Sequence, residues 1–163
     1  MPIPNIVQPQ ILNIDETLRL RKFDDQFAFA FSWYQDPELV YLVDGVKRPY
    51  SQQTLSNMYH YLDKQGELYF IEVLEHGTWK PVGDVCFWQE DLPIVIGEPG
   101  YRGNGVGKRV IQTLLRRGKE LGWSRMGVRE IYAYNVPSRK CFENCGFRIC
   151  ETTEDGHRFQ IDL

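Results

Sequence analysis

Arg102-Gly103-Asn104-Gly105-Val106-Gly107 carries the chain from an apolar, strand-like run at residues 94–96 into a long amphipathic helix pattern. Because glycine lacks a Cβ, each glycine here allows backbone N–H groups to approach an anion closely and can adopt positive φ angles that other residues avoid. The unpaired N–H groups of the first helical turn and the positive end of the helix dipole add to these donors. Lys108 and Arg109 follow with positive charge. The stretch therefore predicts a pyrophosphate-binding loop.

Two common phosphate motifs do not fit this loop. A Walker A loop requires a glycine five residues before Gly107 and Ser or Thr after the lysine, but the chain has Arg102 and Arg109 at those positions. A Rossmann fingerprint requires G-x-G-x-x-G, whereas these glycines alternate. The pattern that does fit is Arg-x-x-Gly-x-Gly, formed by Arg102, Gly105 and Gly107. It resembles the acyl-coenzyme A pyrophosphate loop of the GNAT superfamily of N-acyltransferases; a glycine-rich turn without a ligand is the alternative.

A second segment, residues 135–147, resembles the other signature of that superfamily: an Asn, a short helix and then Gly-Phe. Asn135 ends a strand-like run, and Pro137 presets the φ angle of a first helical turn. Gly146 is placed to end the helix. The two motifs in this order identify the chain as a member of the GNAT superfamily.

The resemblance implies an α+β fold in which helices flank a mixed, mostly antiparallel central sheet. Since a helical crossover joins the strand before the glycine loop to the strand at residues 126–134, we expect those two strands to pair in parallel. In the superfamily they splay apart to admit the pantetheine arm of acetyl-CoA, the implied cofactor. The implied coenzyme A contacts are Ile96, Gly97, Arg102, Gly103, Asn104, Gly105, Val106, Gly107, Lys108, Asn135, Ser138 and Phe142.

An alkylamine must lose a proton before it can attack a thioester, and a carboxylate or a water chain can accept that proton. Asp91, expected on the strand leading into the loop, lies where some relatives carry a basic carboxylate. Glu90 and Glu98 are competing candidates. The alternative is a turn at residues 89–91 with ordinary solvated charges.

Phe142 occupies the position at which many relatives carry a tyrosine that protonates the departing thiolate. A phenyl ring cannot donate a proton, so either coenzyme A leaves as the thiolate or Tyr134 or Tyr132 replaces the missing acid. Phe142 would then only pack the helix against the sheet.

The N-terminal half concerns the acceptor. Its aromatic side chains, with Asp36 and Asp44, could form a cleft for a cation, although so many aromatic residues more often form core. The run at residues 33–38 resembles one in relatives that acetylate ribosomal-protein N-termini and in aminoglycoside 6′-N-acetyltransferases. We therefore predict an N-acetyltransferase that acts by direct attack on a primary amine of a small molecule or a protein N-terminus. The alternative is a noncatalytic acyl-CoA binding or sensing module.

Length and composition limit the other function classes. The 163 residues predict a single domain over residues 1–163, with an extended arm at residues 1–15. A net charge of −3 argues against nucleic acid as a partner, and no apolar run suggests a membrane partner or a signal sequence. We expect a cytoplasmic protein with reduced cysteines and no metal site, with a homodimer left open.

Hydrophobic periodicity, together with residues that cap helices or form turns, predicts the remaining helices and strands. Asp36 and Ser51 can each cap a helix, and Asp24 or Asp25 can cap an earlier one running through residues 27–34. The predicted strands are residues 17–22, 68–74, 81–88, 91–96, 126–134, 147–153 and 157–162.

Overall fold

The structure, a computed structural model, describes all 163 residues. Its α-helices are α1 (Pro37–Asp44), α2 (Gln52–Gln65), α3 (Val106–Glu120) and α4 (Val136–Asn144), and shorter 3-10 helices span Ala28–Gln35 and Pro99–Tyr101. Its strands are β1 (Ile11–Asn13), β2 (Leu18–Lys22), β3 (Glu67–Glu75), β4 (Thr78–Phe87), β5 (Ile94–Ile96), β6 (Arg125–Tyr132), β7 (Arg148–Thr152) and β8 (Gly156–Asp162). The α+β class is confirmed. None of the helices is both long and apolar enough to span a membrane.

The strands form two sheets, and the edge strands β5 and β6 border a gap between them. Five strands pair in the order β1-β2-β3-β4-β5 and three in the order β6-β8-β7, and every pair is antiparallel. The expected parallel pairing of β5 with β6 is therefore wrong, because the two strands belong to different sheets. The gap is closed at its narrow end, where the Gly127 N–H donates to the Gln89 carbonyl at 2.9 Å. We call this end the apex.

Each face of the larger sheet carries its own hydrophobic core. Val85 and Phe87 of β4 face one core, which contains buried residues of α3 and α4. Cys86 and Trp88 alternate with them and face the other core, built with the first 3-10 helix, α1 and α2. Alternate side chains along this part of the chain thus pack into different cores. One core belongs to the half of the molecule that carries the glycine loop, and the other to the half expected to bind the acceptor.

Local signals predicted the α-helices well. The Asp36 side chain accepts a hydrogen bond from the Glu38 N–H, and that of Ser51 accepts one from the Thr54 N–H, so both predicted caps are confirmed. The prediction for residues 27–34 is wrong in type and in cap: the helix is 3-10, and no side chain caps it. Asp24 instead pairs with Arg21, and Asp25 with His60.

Two strand predictions also need correction. Residues 91–96 form a strand only from Ile94, because Trp88 and Asp91 close a tight turn before it and Pro93 cannot donate to a ladder. The predicted extended arm contains a turn at residues 3–6, where Asn5 has a φ of 66°, and its residues 11–13 form β1, which pairs with β2.

Candidate active site

The glycine loop presents a row of unpaired backbone donors. None of the backbone N–H groups of residues 103–108 donates to an acceptor within the protein. Gly103 and Gly105 have φ angles of 74° and 78°, which place them in the left-handed region, and no atom lies within 4 Å of where their Cβ would be. A concave row of free N–H groups at a helix N-terminus suits a pyrophosphate, so these residues fit the predicted cofactor.

The side chains around the loop have roles that the sequence did not reveal. Arg102 turns back onto the end of β5, where its Nε donates to the Ile96 carbonyl at 2.8 Å and its Nη2 to the Gly97 carbonyl at 3.2 Å. Asn104 closes the loop by donating from Nδ2 to the Gly100 carbonyl at 3.0 Å. Arg109 pairs with Asp15. Arg102 also pairs with Asp36 at 3.9 Å, so Lys108 is the cation at the loop that forms no ion pair.

The outer edge of β5 faces the gap with part of its backbone. The Cys86 N–H donates to the Pro93 carbonyl, and the Gly97 N–H donates to the Val82 carbonyl. Because an antiparallel ladder alternates, the groups of Ile94 and Ile96 point the other way, into the gap. Arg102 already occupies the Ile96 carbonyl, which leaves the Ile96 N–H and both groups of Ile94.

This geometry corrects one expected contact and adds another. The N–H and the carbonyl of Gly97 are both bonded within the protein, so its backbone is not free for the pantetheine arm. Gly97 is needed for another reason, since a Cβ there would lie 2.2 Å from Cγ of Trp33. Ile94, which the sequence analysis did not name, has a backbone N–H and a carbonyl that point away from β4.

Asp91 lies at the apex of the gap, in the turn before β5 rather than on the strand. Its Oδ1 accepts hydrogen bonds from the Leu92 N–H at 3.0 Å and the Arg129 N–H at 3.1 Å, while its Oδ2 accepts none. Since every fully buried side-chain oxygen or nitrogen has a partner, Oδ2 must remain accessible. Burial raises the pKa of Asp91, and the two N–H groups oppose this shift only in part. The carboxylate is thus held in place with one oxygen open.

The two competing carboxylates lie elsewhere. Glu90 is exposed, and its carboxylate pairs with Arg158 at 4.0 Å. Glu98 follows the other end of β5, where it accepts a hydrogen bond from Trp33 Nε1 at 3.0 Å. Of the three candidates, Asp91 alone has its carboxylate anchored at the apex.

Tyr134 and Asn135 join the end of β6 to α1. The Tyr134 hydroxyl donates to the Tyr41 carbonyl at 3.1 Å, and the two rings stack at 4.4 Å. Asn135 accepts from the Ser138 N–H and donates to the Leu42 carbonyl, which uses both ends of its amide. Asn135 therefore caps α4 and ties it to α1. The Ser138 hydroxyl has no protein partner.

Phe142 is a core residue. Its ring is 2% exposed and meets Phe147 edge to face at 5.2 Å, so it offers almost no surface to a cofactor, which corrects its place among the expected contacts. Gly107 packs in the same region, where a Cβ would lie 3.3 Å from Sγ of Cys141. The lack of a side chain at Gly107 thus allows α3 to approach α4.

The comparisons with known proteins agree with this geometry. The model of the acetyltransferase (GNAT) family matches residues 27–147, whereas no curated protein matches in sequence. A solved domain from Methanocaldococcus jannaschii has a TM-score of 0.77 at 20% identity and covers 91% of this chain and 100% of its own. A Salmonella typhimurium acetyltransferase that modifies the N-terminal serine of a 50S ribosomal subunit protein has a TM-score of 0.70 at 16% identity, covering 93% and 96%.

Aminoglycoside acetyltransferase AAC(6′)-Ib, solved in complex with coenzyme A, has a TM-score of 0.69 at 15% identity and covers 89% of this chain and 94% of its own. These likenesses show a shared fold. The family match is more specific, because it runs from the first 3-10 helix through the Gly-Phe after α4 and so includes both sides of the gap. The chain therefore belongs to the acetyltransferase (GNAT) family and is an acetyl-CoA-dependent N-acetyltransferase.

Proposed function

We propose that the protein acetylates a primary amine by direct attack and that Asp91 accepts the proton of that amine, directly or through a water molecule. The observation that carries this proposal is the accessible Oδ2 of Asp91 at the apex. Its fixed partner oxygen prevents the carboxylate from rotating away. A positioned general base contributes roughly 10²- to 10⁴-fold to a reaction rate.

The chain's own donors account for cofactor binding. The free N–H groups of residues 103–108 would hold the pyrophosphate, and Lys108 would add a charge. The gap-facing groups of Ile94 and the Ile96 N–H would bond the amide-rich pantetheine arm, as an exposed strand edge does for a peptide. When bound, acetyl-CoA supplies an acyl group activated as a thioester. These contacts direct its acyl end toward Asp91.

An alkylammonium ion has a pKa of about 10, so at neutral pH the acceptor arrives with a proton to lose. Because burial raises the pKa of Asp91, its carboxylate is a stronger base than an exposed aspartate. The amine therefore becomes nucleophilic where it meets the acyl group.

We propose that coenzyme A leaves as the thiolate and that neither Phe142 nor Tyr134 protonates it. Phe142 cannot donate, and the Tyr134 hydroxyl already donates to the Tyr41 carbonyl. Burial also raises the pKa of Tyr134, which makes it a weaker acid. A free thiol titrates near ~8.5, so the thiolate is stable enough to leave and to take its proton from water.

The proposed acceptor is a small molecule or a protein N-terminus with a primary amine, and not nucleic acid. Two structural neighbours act on such acceptors, one on an N-terminal serine and the other named for aminoglycosides. We place the enzyme in the cytoplasm, which its four free cysteines support. Whether it forms a homodimer can be tested by sedimentation.

The proposal is tested by mixing protein, acetyl-CoA and a panel of primary amines, and following loss of thioester absorbance, which avoids interference from the protein's own thiols. Asp91→Asn keeps an oxygen for the Leu92 and Arg129 N–H groups and should lower turnover roughly 10²- to 10⁴-fold. Glu90→Gln is the matched control and should retain wild-type turnover. Tight acetyl-CoA binding with no transfer to any amine would instead support the noncatalytic module.

A further inference from the structure

Three carboxylates are buried in this protein, and two of them are paired with arginine. Glu67 accepts two hydrogen bonds from Arg117, each at 2.8 Å. Glu72 accepts one from Arg19 and another from Arg21. A buried carboxylate normally needs such a cation, because removing its charge from water is costly.

Asp84, the third, has no cation within ion-pair distance. It is 3% exposed and lies on β4, where its Oδ2 accepts hydrogen bonds from the hydroxyls of Tyr34 and Tyr59, both at 2.8 Å. Its Oδ1 accepts none. Because every fully buried side-chain polar atom has a partner, Oδ1 must retain some accessible surface. The two phenols thus hold Oδ2, while Oδ1 has no hydrogen-bond partner in the protein.

Keeping this carboxylate uncompensated costs stability. Burial raises its pKa to about 6, even though the two hydroxyl hydrogen bonds act in the opposite direction. Glu67 and Glu72 form ion pairs with arginines, whereas Asp84 forms none. The missing cation is therefore specific to this position. An ammonium group from outside the protein would complete the site.

Asp84 lies on the face of the larger sheet that is expected to bind the acceptor. It projects toward the face covered by the first 3-10 helix, α1 and α2, since both phenols that bind it belong to elements on that face. Its backbone is directly opposite Val95 of β5. Neighbouring strands lie about 4.8 Å apart, so the gap beyond β5 is on the order of 10 Å from the backbone of Asp84.

That separation excludes contact with the reacting nitrogen, which must approach to within roughly 3.5 Å of the acyl carbon. A cation on Asp84 would therefore be a second charge on the same acceptor. The Tyr50 ring lies next to this site, because it stacks on Tyr34 at 4.9 Å, and its hydroxyl donates to Asp44.

We propose that Asp84 is a specificity site that binds the distal ammonium of an acceptor with two amino groups, a diamine or polyamine. This inference rests on the proposed function, since it assumes that the other amino group is acetylated in the gap. Tyr34 and Tyr59 orient the carboxylate, and Oδ1 receives the ammonium. Nothing in this assignment requires Asp84 to take part in proton transfer.

The test compares 1,6-diaminohexane with n-hexylamine, which has the same chain but one amino group. We expect the wild-type protein to favour the diamine in kcat/KM, and Asp84→Asn to reduce that value about 10- to 100-fold, the range for losing a hydrogen bond to a charged group. The value for n-hexylamine should not change. The amide in Asp84→Asn still offers an oxygen to both tyrosines, and Asp63→Asn, which alters a partly buried carboxylate on α2, is the matched control and should behave as wild type.

Calorimetric titration of the diamine without acetyl-CoA separates this inference from the proposed function. Binding to the wild-type protein that is lost in Asp84→Asn supports the site, even if no amine is ever acetylated. Equal binding to both proteins overturns the inference, whatever the activity. Equal kcat/KM for the two amines in the wild type, or an equal loss for both in Asp84→Asn, would overturn it as well.

Discussion

Replacing Gly105 by alanine tests the phosphate-binding loop without introducing a clash. Gly105 has a φ of 78°, and no atom lies within 4 Å of the position that a Cβ would occupy. The cost is therefore purely conformational, about 1–2 kcal/mol for an alanine in the left-handed region. Gly100→Ala in the preceding 3-10 turn is the matched control, because its surroundings are equally open and its φ is not positive.

The cost can appear in either of two measurements. If the Gly105→Ala loop relaxes in the free protein, binding must restore the strained conformation, and the Kd for coenzyme A rises about 5- to 30-fold. If the loop cannot relax, the same cost of about 1–2 kcal/mol appears as a loss in the free energy of unfolding. Titration calorimetry measures the loss in coenzyme A binding free energy, and urea denaturation of the same preparation measures the loss in the free energy of unfolding. We predict that the two losses add up to about 1–2 kcal/mol.

Gly103→Ala, with a φ of 74°, should give a similar sum. Gly100→Ala should leave both measurements unchanged. The reasoning would be refuted if Gly105→Ala matched wild type in both coenzyme A affinity and stability. A loss of affinity shared equally by Gly100→Ala would also refute it, since no positive φ angle would then be responsible.

Three other predictions follow from buried groups. Because burial raises the pKa of Asp91, wild-type kcat should fall as the pH drops through that raised value, and a flat profile identical to that of Asp91→Asn would contradict its role as the base. Phe142→Tyr should lower the free energy of unfolding by about 1–3 kcal/mol, because its hydroxyl would be buried without a partner; urea denaturation measures this, and faster turnover with unchanged stability would show that the hydroxyl reaches the site. For Asp84 the native carboxyl binds its proton more tightly than the unfolded one, so its contribution to stability declines as the pH rises from its ordinary value to about 6. Asp84→Asn should therefore stabilise the protein by up to about 3 kcal/mol at pH 8 and by roughly half as much at pH 5, and a thermal unfolding temperature unchanged at both pH values would contradict this.

Features that depend on neighbouring residues were predictable from the sequence. The caps at Asp36 and Ser51, the left-handed glycines of the loop and the stop at Gly146 all depend on backbone angles and hydrogen bonds within a few residues. The two signature segments, the phosphate loop and residues 135–147, are of this kind, which is why the family could be inferred from the residues alone.

The composition of the gap depends on contacts between distant residues, and residue spacing does not encode them. Arg102 was expected at the phosphate but turns back to the carbonyls of β5, and Gly97 is required by Trp33, far away in the chain. The orientation of the Asp91 carboxylate depends on β6, because the Arg129 N–H of that strand binds Oδ1 and leaves Oδ2 without a partner. Asp84 appears in the sequence as one acidic residue within an apolar strand. Its significance comes from packing, because only the folded chain places two tyrosine hydroxyls on one of its oxygens, leaves the other open and brings no arginine near it.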